Sequence, residues 1–300
     1  MIGLTTAVRL AESGMSVRVL AREMPPDTDS CAAGAMWGPF LTVDPRTASW
    51  AAETLSELLK LAREPDETGV RRVRGVEAAR NPAQPHDSLV NMEGFAHCRP
   101  DELPPGYASG WRYTTAAIDM LAYCGYLQQR LKSAGGTMVT TNVRSLDDLR
   151  GTADLVVNCT GSGARELVPD RSVTPMLGRV VVVANPGIDT FFAEAGESPE
   201  LTWYVPHGKE RVVLGSTLES GRVDDPDALR RIVARCSVIE PLLAGQRVLG
   251  WRSGFRPVRP LVRVEREHEW LIHNYGHGGS GVSLSWACAR EVLTLAGAAS

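Results

Sequence analysis

The chain has 300 residues, 43% hydrophobic and 22% charged, which is ordinary globular composition and enough for two moderate cores sharing a cleft. Its 32 Lys and Arg against 35 Asp and Glu give a formal charge of -3, so no basic excess draws it to a nucleic-acid backbone. No basic run or membrane-length apolar stretch marks it for a lipid surface.

Met1-Ile2-Gly3-Leu4-Thr5-Thr6 lacks a charged region before an apolar core, so it does not read as a secretory signal, and the cytoplasm is the expected compartment. From Gly3 to Ser13, Leu4, Ala7, Val8, Leu10 and Ala11 mark a helix with one apolar face. Gly14 caps it, and Val17, Val19 and Leu20 follow as a short strand. Helix, tight turn and strand make the back half of a βαβ unit. A second helix over 118–133 ends at Gly135-Gly136 and leads into a strand from Thr137 to Val143. The apolar run from Asp154 to Gly161 reads as a buried parallel strand entering a Thr-Gly turn.

The middle differs. Short strands at Val180–Ala184, Leu201–Pro206, Val212–Thr217 and Arg247–Gly254, separated by turn-rich segments, predict an antiparallel sheet. The tail returns to a strand, Trp270–Asn274, then a glycine cluster and an apolar helix over 282–295. Dinucleotide-type pieces therefore bracket two inserted blocks. The expected fold is α/β, a discontinuous Rossmann-like domain carrying an inserted antiparallel-sheet domain.

Six scattered cysteines show no zinc-like spacing, and none of the six histidines sits in a metal-binding pattern. No metal site is expected, and the thiols read as reduced and structural.

Two motifs carry chemistry. Gly276-His277-Gly278-Gly279-Ser280-Gly281 lies between a strand and a helix, where glycines let the backbone approach a flat or anionic ligand. The same glycines also suit a turn that needs them only for its dihedral angles. Gly254-Phe255-Arg256-Pro257-Val258-Arg259-Pro260 holds two arginines extended before prolines, which suits bidentate capture of a carboxylate. Surface ion pairing is the alternative for both.

Taken together, Gly254–Pro260 and His273–Gly281 resemble the paired C-terminal signatures of the D-amino-acid oxidase family, which includes D-aspartate oxidase. Further matches follow in the family's order: Ala21-Arg22-Glu23, Ala33-Gly34-Ala35-Met36-Trp37-Gly38-Pro39, Gly110-Trp111, Tyr126-Leu127 and Val156–Gly161. The resemblance implies an FAD-binding domain from residues 1–38, 117–177 and 257–300, and a substrate domain from 39–116 and 178–256.

It further implies extended FAD with the substrate over the flavin face. Arg256 would clamp the substrate carboxylate, Gly279 would turn its carbonyl to the amine, and Arg259 would be structural. Gly278, Gly281, Val282 and Ser283 would lie beside the flavin. Arg22, Thr160 and Gly161 would follow the ADP half, with Ala33, Gly34 and Ala35 near the flavin and its linker, and Gly3 and Val143 would also bind the cofactor. For each small residue, tight packing is the competing reading.

The chain departs from the family pattern twice. Met1-Ile2-Gly3-Leu4 enters at the last glycine of the family's G-x-G-x-x-G turn, ahead of which a strand and two glycines are expected. The family's substrate-binding tyrosine falls on Trp203, with Tyr204 beside it; strand alternation lets one of them point inward, and register favours Trp203.

The implied activity is FAD-dependent oxidative deamination of D-amino acids by dioxygen, yielding 2-oxo acids, ammonia and hydrogen peroxide. A homodimer is compatible with it. Two alternatives are an N-terminally short, defective paralogue that binds FAD poorly, and a flavin oxidase acting on a pathway-specific amino-acid derivative.

Overall fold

The computed structural model describes residues 1–196, 200–221 and 225–297. Helix α1 (Ile2–Glu12) is followed by strand β1 (Arg18–Ala21), helix α2 (Thr47–Leu61), the one-turn α3 (Pro65–Thr68) and β2 (Val70–Ala79). The two-residue β3 (Ala96–His97) precedes β4 (Ser109–Ile118), helix α4 (Met120–Ser133) and β5 (Thr137–Thr140). Next come β6 (Val156–Asn158), the one-turn α5 (Ala164–Leu167), β7 (Thr174–Ala184) and β8 (Thr190–Glu194). They are followed by β9 (Trp203–His207), β10 (Arg211–Gly215) and β11 (Glu219–Ser220). Helix α6 (Ala228–Ile239), β12 (Val248–His268), β13 (Leu271–His277) and α7 (Gly281–Gly297) complete the order.

One 11-stranded sheet runs in the order β3-β4-β2-β8-β9-β10-β7-β12-β13-β6, with β11 added to β7. Its middle is antiparallel and its β13–β6 end is parallel, so a single sheet carries both inserted and dinucleotide-type pieces. Strand β12 makes that continuity. Its 21 residues pair with β7 from Val248 to Val258 and with β13 at Val258 and, after a register shift, from Arg263 to His268. Only its front, Arg247–Gly254, was expected as a strand; Pro257 and Pro260, which hold Arg256 and Arg259 extended, lie within the same strand.

Alternation sorts the sheet into two faces. Val180, Val182, Val205 and Val213 join the main core, while Val181, Val183, Tyr204, Val212 and Leu214 meet Ile232 and Cys236 of α6 on the reverse. Burial of each large side chain contributes roughly 1.5–3 kcal/mol, so a one-residue slip would be heavily penalised. Helix α2 buries Trp50, Ala51, Thr54 and Leu58 against α7, a periodicity present in the sequence although that helix was not expected. Strands β2 and β4 were also missed, since the Arg-rich run Arg71, Arg72, Arg74 hides the alternation.

The β1–β5 parallel pair stands apart from the large sheet. Among the described residues, the second edge of β1 and the outer edge of β6 have no strand partner. Both strands line one cavity.

Candidate functional site

A cavity of about 1580 Å³ extends from β1 and β6, past the starts of α1 and α7, to the valine-lined face of the sheet. Drug-sized ligands occupy roughly 300–1,000 Å³, so this volume has room for a dinucleotide and a substrate together. Two helix N-termini open on it. The first N–H groups of α1 have no partner inside the helix, and Met1 supplies no side-chain cap. The residues Met1, Ile2 and Gly3 there form the cavity wall, which gives positive potential and free donors to an anion. At the start of α7 a Cβ added to Gly281 would meet nothing within 4 Å, so that helix end also faces open space.

The glycine turn before α7 is tight for a physical reason. Gly278 has φ +54° and donates its N–H to the Pro257 carbonyl at 2.9 Å. A Cβ there would lie 2.3 Å from the Leu41 carbonyl oxygen, so no larger residue fits. Ser280 grips the opposing loop: its Oγ accepts from Phe40 N and donates to Phe40 O, each at 2.6 Å. Ser283 was expected beside the flavin. Its side chain is buried away from the cavity wall, and its Oγ accepts from Gly38 N at 3.0 Å. A hydroxyl one turn into a helix can hold a neighbouring loop as readily as a ligand, and sequence does not separate the two.

The residues just before that turn are scaffold. His273 Nδ1 meets Asn158 Nδ2 at 3.1 Å, and Asn158 Oδ1 accepts from Thr160 N at 3.1 Å and Thr160 Oγ1 at 2.8 Å. That shapes the turn bearing Thr160 and Gly161. Asn274 Nδ2 donates to Thr6 Oγ1 at 3.0 Å, pinning α1. Tyr275 donates to Asp170 at 2.8 Å, and Arg259 pairs with the same carboxylate at 3.0 Å. Hydrogen bonds from Ser172, Tyr275 and Arg259 outweigh burial and hold Asp170 far below the usual carboxylate range. Arg259 is thereby committed to the fold.

Arg256 is not committed. It lines the cavity with no carboxylate in ion-pair contact among the described residues, and donates only to Thr217 O at 3.0 Å and Ser216 Oγ at 3.1 Å. Burial lowers its pKa to about 10, which still leaves it charged at neutral pH. A desolvated cation lacking a counter-charge is an open position for an anion.

Trp203 lies on the cavity face of β9, with its ring over Gly215 and against Gly34. Tyr204 points the other way and stacks on Phe192 at 6.0 Å in the core beneath α6. Ala33, Gly34, Ala35, Val143, Thr160, Gly161, Gly279 and Val282 all line the cavity, Val143 from the loop after β5 rather than from the strand. Arg22 sits at the rim, with 72% of its side chain exposed and Glu23 at 3.5 Å. Sequence reasoning missed Met36, Phe40, Glu77, Tyr113 and Ser216 in the same wall, because the sheet and loop that gather them are non-local. Helix termini, close-packed glycines and volume fit an FAD, and Arg256 adds a buried cation without a carboxylate partner among the described residues.

The chain is similar to proteins of known family. A family profile described as FAD dependent oxidoreductase matches residues 1–295. The D-amino-acid oxidase of Rubrobacter xylanophilus is 45% identical over 307 residues, covering 99% of this chain and 93% of that protein. The D-amino-acid oxidase of Streptomyces coelicolor is 40% identical, covering 98% and 93%. Glycine oxidase from Geobacillus kaustophilus shares the fold with a TM-score of 0.82 at 20% identity, covering 100% of this chain and 92% of that one.

Proposed function

Since this chain belongs to the D-amino-acid oxidase family of FAD dependent oxidoreductases, we propose that it oxidises D-amino acids with dioxygen to 2-oxo acids, ammonia and hydrogen peroxide. The observation that carries this reading is Arg256, a charged guanidinium in the cavity wall without a protein counter-ion among the described residues. It binds the substrate carboxylate through a bidentate pair. The Gly279 carbonyl takes the amine, and Trp203 closes the opposite wall and orients the α-carbon. Gly3, Arg22, Thr160 and Gly161 hold the ADP half, while Ala33, Gly34, Ala35, Gly278, Gly281 and Val282 border the ring.

Bound FAD supplies the acceptor for the α-hydrogen and its electron pair. The protein orients the substrate and excludes water around it. Residues 39–116 and 178–256 form the substrate lobe in this reading. No helix among the described residues is long and apolar enough to cross a membrane. Six free cysteines support a reducing compartment, consistent with the cytoplasm. A homodimer remains compatible.

Peroxide release measured across paired D- and L-amino acids tests the reading. Turnover confined to D-enantiomers is the expected result. Turnover of L-enantiomers alone, or of neither, overturns it.

A further inference from the structure

We propose that the cavity selects D-amino acids with a cationic side chain, which ends on the carboxyl group of Glu77; this rests on the oxidase reading above. Glu77 lies on β2, two strands from Trp203 along one transverse row of the sheet, through the pairs Glu77–Ala193 and Ala193–Trp203. Paired residues share a face, and Glu77, Ala193 and Trp203 all line the cavity. At about 4.8 Å per strand, Glu77 and Trp203 stand about 10 Å apart at the backbone. A short side chain on a substrate held beside Trp203 does not reach that far, whereas a lysine- or arginine-length one does.

Glu77 matches Arg256 with opposite sign. Tyr113 donates its hydroxyl to Glu77 Oε2 at 2.6 Å, and the Trp111 side chain also stabilises the carboxylate. The described residues place no Arg or Lys in ion-pair contact with it. Its neighbour Glu194 also lines the cavity but is already neutralised, with Arg80 Nε at 2.5 Å from its Oε1. Burial raises the Glu77 pKa above the ordinary carboxylate value, the response of a carboxyl that lacks a counter-ion. A ligand ammonium or guanidinium supplies that counter-ion. Ala193 lies between Glu77 and Trp203, and Met36 and Phe40 line the same cavity, giving apolar surface suited to a methylene stem.

The test uses FAD-loaded enzyme and four substrates: D-lysine, D-arginine, D-alanine and the length-matched apolar D-norleucine. The native protein is expected to prefer D-lysine and D-arginine. Glu77→Gln keeps an acceptor for Tyr113 and should fold. It is expected to lower kcat/KM for the two cationic substrates by roughly tenfold or more while leaving the apolar two within about twofold. Glu77→Leu should shift the preference to D-norleucine. A second readout is thermal stabilisation by 4-guanidinobutanoate, which is expected to exceed that by pentanoate and to lose its advantage in Glu77→Gln. A native preference for D-norleucine, or an equal loss on all four substrates, overturns the inference and leaves the oxidase reading intact. Peroxide from none of the four overturns the oxidase reading itself.

Discussion

Gly178 lies directly beneath the Arg256 guanidinium: a Cβ built on it would fall 2.2 Å from Nη1 and 2.4 Å from Cζ. The missing side chain on β7 is therefore what lets the guanidinium lie flat in the cavity wall, where Ser216 and Thr217 fix it. Gly178→Ala should push the group out of place and raise KM, with retained flavin unchanged. Arg256→Ala removes two hydrogen bonds to a charged group, each worth roughly 1.5–3 kcal/mol, so kcat/KM should fall by roughly 10² or more. Steady-state kinetics beside the flavin-to-protein absorbance ratio distinguishes a lost anchor from a lost cofactor. Normal KM in both variants would remove Arg256 from the substrate site.

Adjacent aromatics on β9 should behave in opposite ways. Trp203→Tyr should keep activity and widen tolerance for bulky side chains, since a smaller ring leaves more of the cavity open. Trp203→Ala should weaken substrate binding with little effect on melting. Tyr204→Ala opens a hole in the core beneath α6 and should cost about 3–5 kcal/mol of stability. Tyr204→Phe should leave turnover near normal. Paired kinetic and urea-melting measurements test this, and the reverse assignment of effects would overturn it.

Acid should weaken the fold through two buried histidines before the carboxylates titrate. Burial lowers His277 from 6.5 to about 3 and His207 from 6.5 to about 4, and the Nε2 of each lacks a hydrogen-bond partner among the described residues. Both are neutral in the folded protein below pH 6.5, where the unfolded chain takes up protons. The stability they contribute is complete above pH 6.5 and declines as pH falls toward 4. The loss is up to about 1.4 kcal/mol per pH unit for each histidine. Urea midpoints at pH 5 and 7 should differ accordingly, and His207→Phe should flatten the slope. An unchanged slope in that variant would assign the effect elsewhere.

The unpaired edges of β1 and β6 also predict something measurable. A strand that paired with either edge would satisfy backbone groups there, and each buried one it satisfies removes a penalty of roughly 1–3 kcal/mol. Fusing a short apolar strand with a Gly-x-Gly turn ahead of Met1 should raise the melting temperature and tighten FAD retention. Identical melting and flavin content with and without the fusion would show that those edges need no strand.

Some of this was legible in the chain because it is local. Gly276 to Gly281 must turn sharply wherever it sits, and Pro257 and Pro260 extend Arg256 and Arg259 in any fold that accepts them. The period of α1 and the alternation that sends Trp203 one way and Tyr204 the other are likewise properties of a few consecutive residues. Tertiary structure decided what those residues face. Arg259 and Arg256 share one motif, yet among the described residues only the first meets a carboxylate, because Asp170 reaches one and the bare backbone of Gly178 lies under the other. Ser283 became a loop anchor because Gly38 arrives from 245 residues away. Glu77 entered the site because β2, β8 and β9 lie side by side in the sheet. Local sequence sets backbone conformation through sterics and periodicity; counter-charges and neighbours come from distant segments, and only packing brings them together.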